Sequence, residues 1–157
     1  MQKPLTEKRL ENITLYYLER FDASSDKLRQ MLKRRVQKQK MLGLPIDKNI
    51  NQWIECVIQK MQQLGYVNDA RYAENMIRRL SQSGKSTRFI QQKLLSAGID
   101  QQIVENYLAP EDELDRARTF VHKKHLGADY QKDLAKLARA GFSYEIAQQV
   151  LKGEDDV

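Results

Sequence analysis

Three groups of residues have the types and spacing from which catalytic chemistry can be built. Gly84-Lys85-Ser86-Thr87 matches the end of a phosphate-binding loop, where glycine lets backbone N–H groups approach phosphate, lysine supplies the counter-charge and a hydroxyl holds magnesium. The complete loop needs a second glycine five positions earlier, where Arg79 stands, and a preceding strand, where residues 69–82 have helical periodicity. A glycine ending one helix and a hydroxyl residue opening the next accounts for the same four residues. His122 and His125 are spaced to share a helix face, with Asp129 and Asp133 beyond. Gly127 interrupts that face and Lys123 and Lys124 make it cationic, so no bound metal is expected. Glu111, Asp112, Glu113 and Asp115 have the carboxylates for acid–base work, yet they follow Pro110 in the first turn of a helix, where the helix dipole accounts for them. The single cysteine, Cys56, supports neither an intrachain disulfide nor a thiolate zinc cage. The reading is a protein that is not an enzyme, with no catalytic residues, no metal and no cofactor.

Binding chemistry is better represented. Lys27, Arg29, Lys33, Arg34, Arg35, Lys38 and Lys40 fall within fourteen residues, and such a run repels itself unless phosphate or an acidic protein surface neutralises it. Arg71, Arg78 and Arg79, with Arg88 further on, repeat the idea more sparsely, and Tyr72 could stack on a base. The 157 residues include 27 Lys and Arg against 21 Asp and Glu, a net charge of +6. That charge is +6 over residues 1–68, +2 over 69–109 and −2 over 110–157, where the sequence ends in Glu154-Asp155-Asp156. A field of that polarity steers a polyanion toward the first part of the chain.

The elements that must hold these groups read as helices. Leu10, Ile13, Tyr17 and Phe21 form one stripe; Leu28, Met31, Leu32 and Val36 form a second, capped by Ser24 or Ser25; Ile50, Trp53, Ile54, Val57, Met61 and Leu64 form a third, ended by Gly65. Seven glycines and three prolines disfavour a turn-rich β fold, and the longest uncharged apolar run, Ile13–Leu18, is too short for a membrane span. Charged residues near Met1 leave no room for a secretory signal, so a cytoplasmic protein is expected. The pattern recurs. Asn68 or Asp69, Ser86 or Thr87, and Asp100 open three further helices, and three more follow Pro110. Lys93-Leu94-Leu95-Ser96-Ala97-Gly98-Ile99 matches Lys136-Leu137-Ala138-Arg139-Ala140-Gly141-Phe142 at an offset of 43. The expected fold is all-α, an elongated tandem array of three three-helix repeats: 1–66 with the basic helix and a longer loop, 67–109, and 110–157 with the acidic tail.

Leu64-Gly65-Tyr66-Val67-Asn68-Asp69-Ala70-Arg71-Tyr72-Ala73 resembles the central signature of the RecX family of recombinase regulators. Gly84, Ile90-Gln91-Gln92-Lys93-Leu94 and Ala97-Gly98-Ile99 continue the likeness, and Arg139-Ala140-Gly141-Phe142-Ser143 is similar to the family's last unit. The resemblance spans about residues 10–151. It implies a regulator that binds the RecA–DNA filament and inhibits RecA ATP hydrolysis and strand exchange by blocking filament growth or promoting disassembly. The implied partners are the RecA filament and, more weakly, single- and double-stranded DNA, with the protein a monomer and no membrane involved. The candidate contacts are Arg29, Lys33, Arg34, Arg35, Arg71, Tyr72, Arg78, Arg79, Arg88 and Lys93, while Asp69 is expected to cap its own helix. Lys85 stands where the family often has an aromatic, and Lys93 where it often has an acid. The rival reading is a helical DNA-binding protein that acts directly on nucleic acid without RecA.

Overall fold

The computed structural model describes residues 3–152; the acidic Glu154-Asp155-Asp156 lies outside the described residues. Among them the chain is all-α: α1 (Glu7–Leu18), α2 (Ser25–Met41), α3 (Ile50–Gln63), α4 (Asp69–Gln82), α5 (Thr87–Ser96), α6 (Gln101–Tyr107), α7 (Glu113–Lys123), α8 (Tyr130–Arg139) and α9 (Tyr144–Lys152). The helices follow one another in sets of three, as the repeat of apolar stripes predicts. Two compact units, Met1–Tyr72 and Ala73–Val157, divide the chain within α4.

In the first unit, α1 and α2 pack on α3 around Leu10, Leu28, Leu32, Ile54, Val57, Ile58 and Met61, all almost fully buried. Ser24 caps α2 by accepting from the Lys27 N–H. Two expected core members fall outside it. Helix α1 ends at Leu18, so Phe21 lies past its last turn and is exposed, and Leu64 is exposed at the end of α3, whose stripe buries Ile58 instead.

Helix α4 is opened by Asn68, whose side chain accepts from the Arg71 N–H at 3.0 Å. Asp69 does not cap its own helix, contrary to expectation. Its carboxylate reaches to the start of α2, accepting from the Ser25 N–H at 2.8 Å and from the Ser25 hydroxyl at 2.7 Å. The second unit repeats this device. Ser86 caps α5 through the Phe89 N–H, and the Glu113 carboxylate, from the first residue of α7, accepts from both the N–H and the hydroxyl of Thr87. In each case the first residue of a helix satisfies an orphan N–H at the start of a helix far away in sequence.

Arg116 lies beside this second contact, 3% exposed. It donates to the Ser81 hydroxyl, the Thr87 hydroxyl and the Ala109 carbonyl, and its guanidinium stands 3.7 Å from the Glu113 carboxylate. One buried charge thus joins α4, α5, the segment after α6, and α7. Pro110–Asp112 forms a 3-10 turn rather than the first turn of α7, which moves the acidic run so that Glu113 becomes the first helical residue. Around α7, α8 and α9 the core is Ala117, Leu137, Phe142, Ala147 and Val150.

Two glycines are required by close approach. Gly84 has φ +76°, and a Cβ there would sit 2.6 Å from the Phe120 backbone nitrogen of α7. Gly141 has φ +98°, and a Cβ there would sit 2.7 Å from the Ser86 hydroxyl oxygen, which donates to the Ala140 carbonyl. The matched segments share one ending: Ile99 N–H bonds to the Leu94 carbonyl and Phe142 N–H to the Leu137 carbonyl, each at 3.1 Å, with Ile99 and Phe142 buried.

Gly84→Ala is expected to lower unfolding free energy in urea by about 2–4 kcal/mol, from left-handed backbone strain and collision with α7. Asp69→Ala is expected to cost about 1–3 kcal/mol, by leaving the start of α2 without its acceptor. Asn68→Ala should cost about 1 kcal/mol, the loss of an ordinary cap.

Candidate functional site

The groups that suggested catalysis are taken up by helix ends. Gly84 closes α4, Ser86 caps α5, Thr87 is held by Glu113, and Lys85 places its ammonium 5.0 Å from the centroid of the Phe89 ring. Asp129 caps α8, and Asp133 is buried against the Gly127 N–H at 2.7 Å. His122 and His125 are exposed around a hollow with Arg118, Val121, Leu126 and Val150. No three His, Cys, Asp or Glu side chains among the described residues converge on a metal-sized point. No helix among the described residues is long and apolar enough to cross a membrane.

The basic residues separate into engaged and free. Arg29 is engaged: its guanidinium makes two bonds to Glu55 of α3, at 2.6 and 3.1 Å, and a third to Asp26 at 3.2 Å. Those hydrogen bonds hold the Glu55 carboxyl below the usual glutamate range, against the opposing effect of partial burial, and the charges of Arg29 and Lys33 act in the same direction. Arg29 therefore ties α2 to α3. Lys60 makes a comparable tie to Glu11 at 3.0 Å, joining α3 to α1.

Lys33, Arg34 and Arg35 are exposed along α2. Arg34, Arg35 and Lys38 surround Met31 in a shallow hollow, at the 31, 34, 35, 38 spacing of one helix face. No carboxylate among the described residues pairs with these three cations. Lys38 belongs to the basic run and Met31 to the apolar stripe of α2, and their helical spacing with Arg34 and Arg35 is the signal in the sequence that joins the two patterns on one face.

Arg71 is exposed and donates to the Gly65 carbonyl at 3.2 Å. Tyr72, its neighbour, is 6% exposed, with the Lys27 ammonium 5.5 Å from its ring centroid, and that burial leaves it no free face to offer. The exposed aromatic of the signature is Tyr66, which follows Gly65 at φ +78°. Arg78 and Arg79 are exposed on α4, and Arg88 and Lys93 on α5. In the second unit Arg88, Phe89 and Gln92 line a hollow with Ala138, Arg139, Ala140 and Gly141 from the end of α8. Arg139 lies 51 residues from Arg88, and no local spacing in the sequence signals that meeting.

Residues 68–108 match the family model described as RecX, second three-helix domain. The chain is 35% identical over 156 residues to a Regulatory protein RecX of Myxococcus xanthus, covering 90% of this chain and 83% of that one. It is 34% identical over 112 residues to the Regulatory protein RecX of Vibrio vulnificus, covering 66% and 73% of the two chains. The crystal structure of RecX from Lactobacillus salivarius superposes with a TM-score of 0.70 at 23% identity, covering 96% of this chain and 97% of that one, which shows a shared fold.

Because its carboxyl is depressed, Glu55 contributes stability that is fully present above the ordinary glutamate value of 4.5 and is lost as pH falls through the lowered one. Glu55→Gln should cost about 0.5–1 kcal/mol at neutral pH, since the pair is partly solvated. It should also show a smaller loss of stability than the parent protein in urea titrations carried below pH 4.5.

Proposed function

The chain belongs to the RecX family of regulatory proteins, and from that premise we propose that it binds the filament RecA forms on DNA and represses RecA ATP hydrolysis and strand exchange. It does so by blocking filament growth or promoting filament disassembly, as a cytoplasmic monomer built from units 1–66, 67–109 and 110–157. The observation that carries this reading is the set of cations that the fold leaves without carboxylates: Arg34, Arg35 and Lys38 around Met31 on α2. Lys33, Arg71, Arg78, Arg79, Arg88 and Lys93 extend it. A filament groove presents acidic protein surface beside DNA phosphate, and both attract such groups. Methionine and arginine are both enriched in protein–protein interfaces. Arg29 and Tyr72 enter this reading as supports, since Arg29 is held by Glu55 and Asp26 and Tyr72 is buried.

The test is RecA ATP hydrolysis on single-stranded DNA with this protein added below one copy per RecA. A fall in hydrolysis at that ratio is expected. Arg34→Glu combined with Arg35→Glu should need at least about tenfold more protein for the same inhibition, while helical content and melting temperature are kept. Full inhibition by the folded double variant would remove the α2 face from the contact. Unchanged hydrolysis alongside tight DNA binding would give the protein to the rival reading, direct action on nucleic acid.

A further inference from the structure

The hollow between α5 and the end of α8 has a composition different from that of the α2 face. Phe89 is half-buried, with its ring at the hollow and the ammonium groups of Lys85 and Lys93 at 5.0 and 5.6 Å from its centroid. Arg88 and Arg139 stand on the two sides, and Gln92 adds an amide that can both donate and accept. No carboxylate lines the hollow, and none among the described residues pairs with these four cations. Phe89 follows Arg88 in the first turn of α5, which Ser86, Thr87 and Glu113 hold in place. The backbone that carries the ring is therefore fixed, while the cations around it sit on long side chains.

We infer that this hollow binds single-stranded DNA, with a base stacked on the Phe89 ring and the flanking phosphates taken by Lys85, Arg88, Lys93 and Arg139. Cations alone would serve an acidic protein equally well. An aromatic face and a side-chain amide are what an unstacked base requires and an acidic peptide does not. A duplex hides its base faces, so it can use only the cations. The two lysines that cover the ring in the free protein have their preferred partners in phosphate, and moving to the backbone uncovers the stacking face. The choice of DNA rests on the filament reading above, but the site requires only this chain and the strand.

The experiment is fluorescence anisotropy of a labelled oligothymidylate of about 12 nucleotides, without RecA, set against a duplex, an oligouridylate and polyglutamate. Phe89→Leu keeps an apolar side chain in place and is expected to weaken the thymidylate about 5- to 100-fold while changing duplex affinity less than about twofold. Arg88→Glu with Arg139→Glu, two surface changes that spare the core, should weaken both DNA forms and flatten the dependence on salt by about two ionic contacts. Thymidylate affinity unchanged in Phe89→Leu, or falling equally on strand and duplex, would overturn the stacking site. Tighter binding of polyglutamate than of thymidylate would give the hollow to an acidic protein, and tighter binding of oligouridylate would give it to RNA; either overturns the assignment. Because RecA is absent, these failures are separate from a failure to inhibit the filament. If Phe89→Leu does not fold, the double arginine variant still decides the matter, since its unchanged thymidylate affinity removes the site.

Discussion

A helix that starts inside a protein carries N–H groups that have neither water nor a helical partner, and the packing of α5 depends on meeting that requirement. Ser86 supplies one acceptor and Glu113 another, so the start of α7 has to lie where its first carboxylate reaches Thr87. Arg116 neutralises that carboxylate from one turn along α7 and satisfies the Ser81 and Thr87 hydroxyl oxygens and the Ala109 carbonyl. A buried guanidinium is costly unless its donors are used; here Nε and Nη1 make three hydrogen bonds and Nη2 stands 4.0 Å from the Asp112 carboxylate. The close approach that results brings the α7 backbone against Gly84, where no side chain could fit. Asp69 and Ser25 solve the same problem for α2 without an arginine, and their contact is correspondingly simpler.

This solution also decides which charges are available for a partner. Asp69, Glu113 and Asp133 accept from N–H groups, Glu113 also faces Arg116, and Glu55 and Glu11 are paired with Arg29 and Lys60. What is left exposed is mostly basic: the Arg34, Arg35 and Lys38 face of α2, the arginines of α4, and the cations around Phe89. A surface with unneutralised charge of one sign costs some stability through self-repulsion, and binding a polyanion relieves that cost. Intramolecular pairing leaves the net charge at +6, but the unpaired cations concentrate it locally on these exposed faces.

The sequence by itself determined the elements and the family. Apolar spacing, glycines at helix ends and the Ser and Asp caps placed the helices, since each of these signals acts within a few residues of chain. The 43-residue match of Lys93–Ile99 with Lys136–Phe142 foretold two helix endings of the same geometry. The basic run of α2 was legible as an exposed cationic helix for the same local reason. Only the tertiary structure decided the individual roles. It turned Asp69 toward Ser25, set Glu113 rather than Pro110 at the start of α7, gave Arg29 to Glu55, buried Tyr72 while exposing Tyr66, and brought Arg139 beside Arg88. The physical reason is distance along the chain: capping and helical periodicity are local, whereas a charge finds its partner across 26 to 49 residues once the helices have packed.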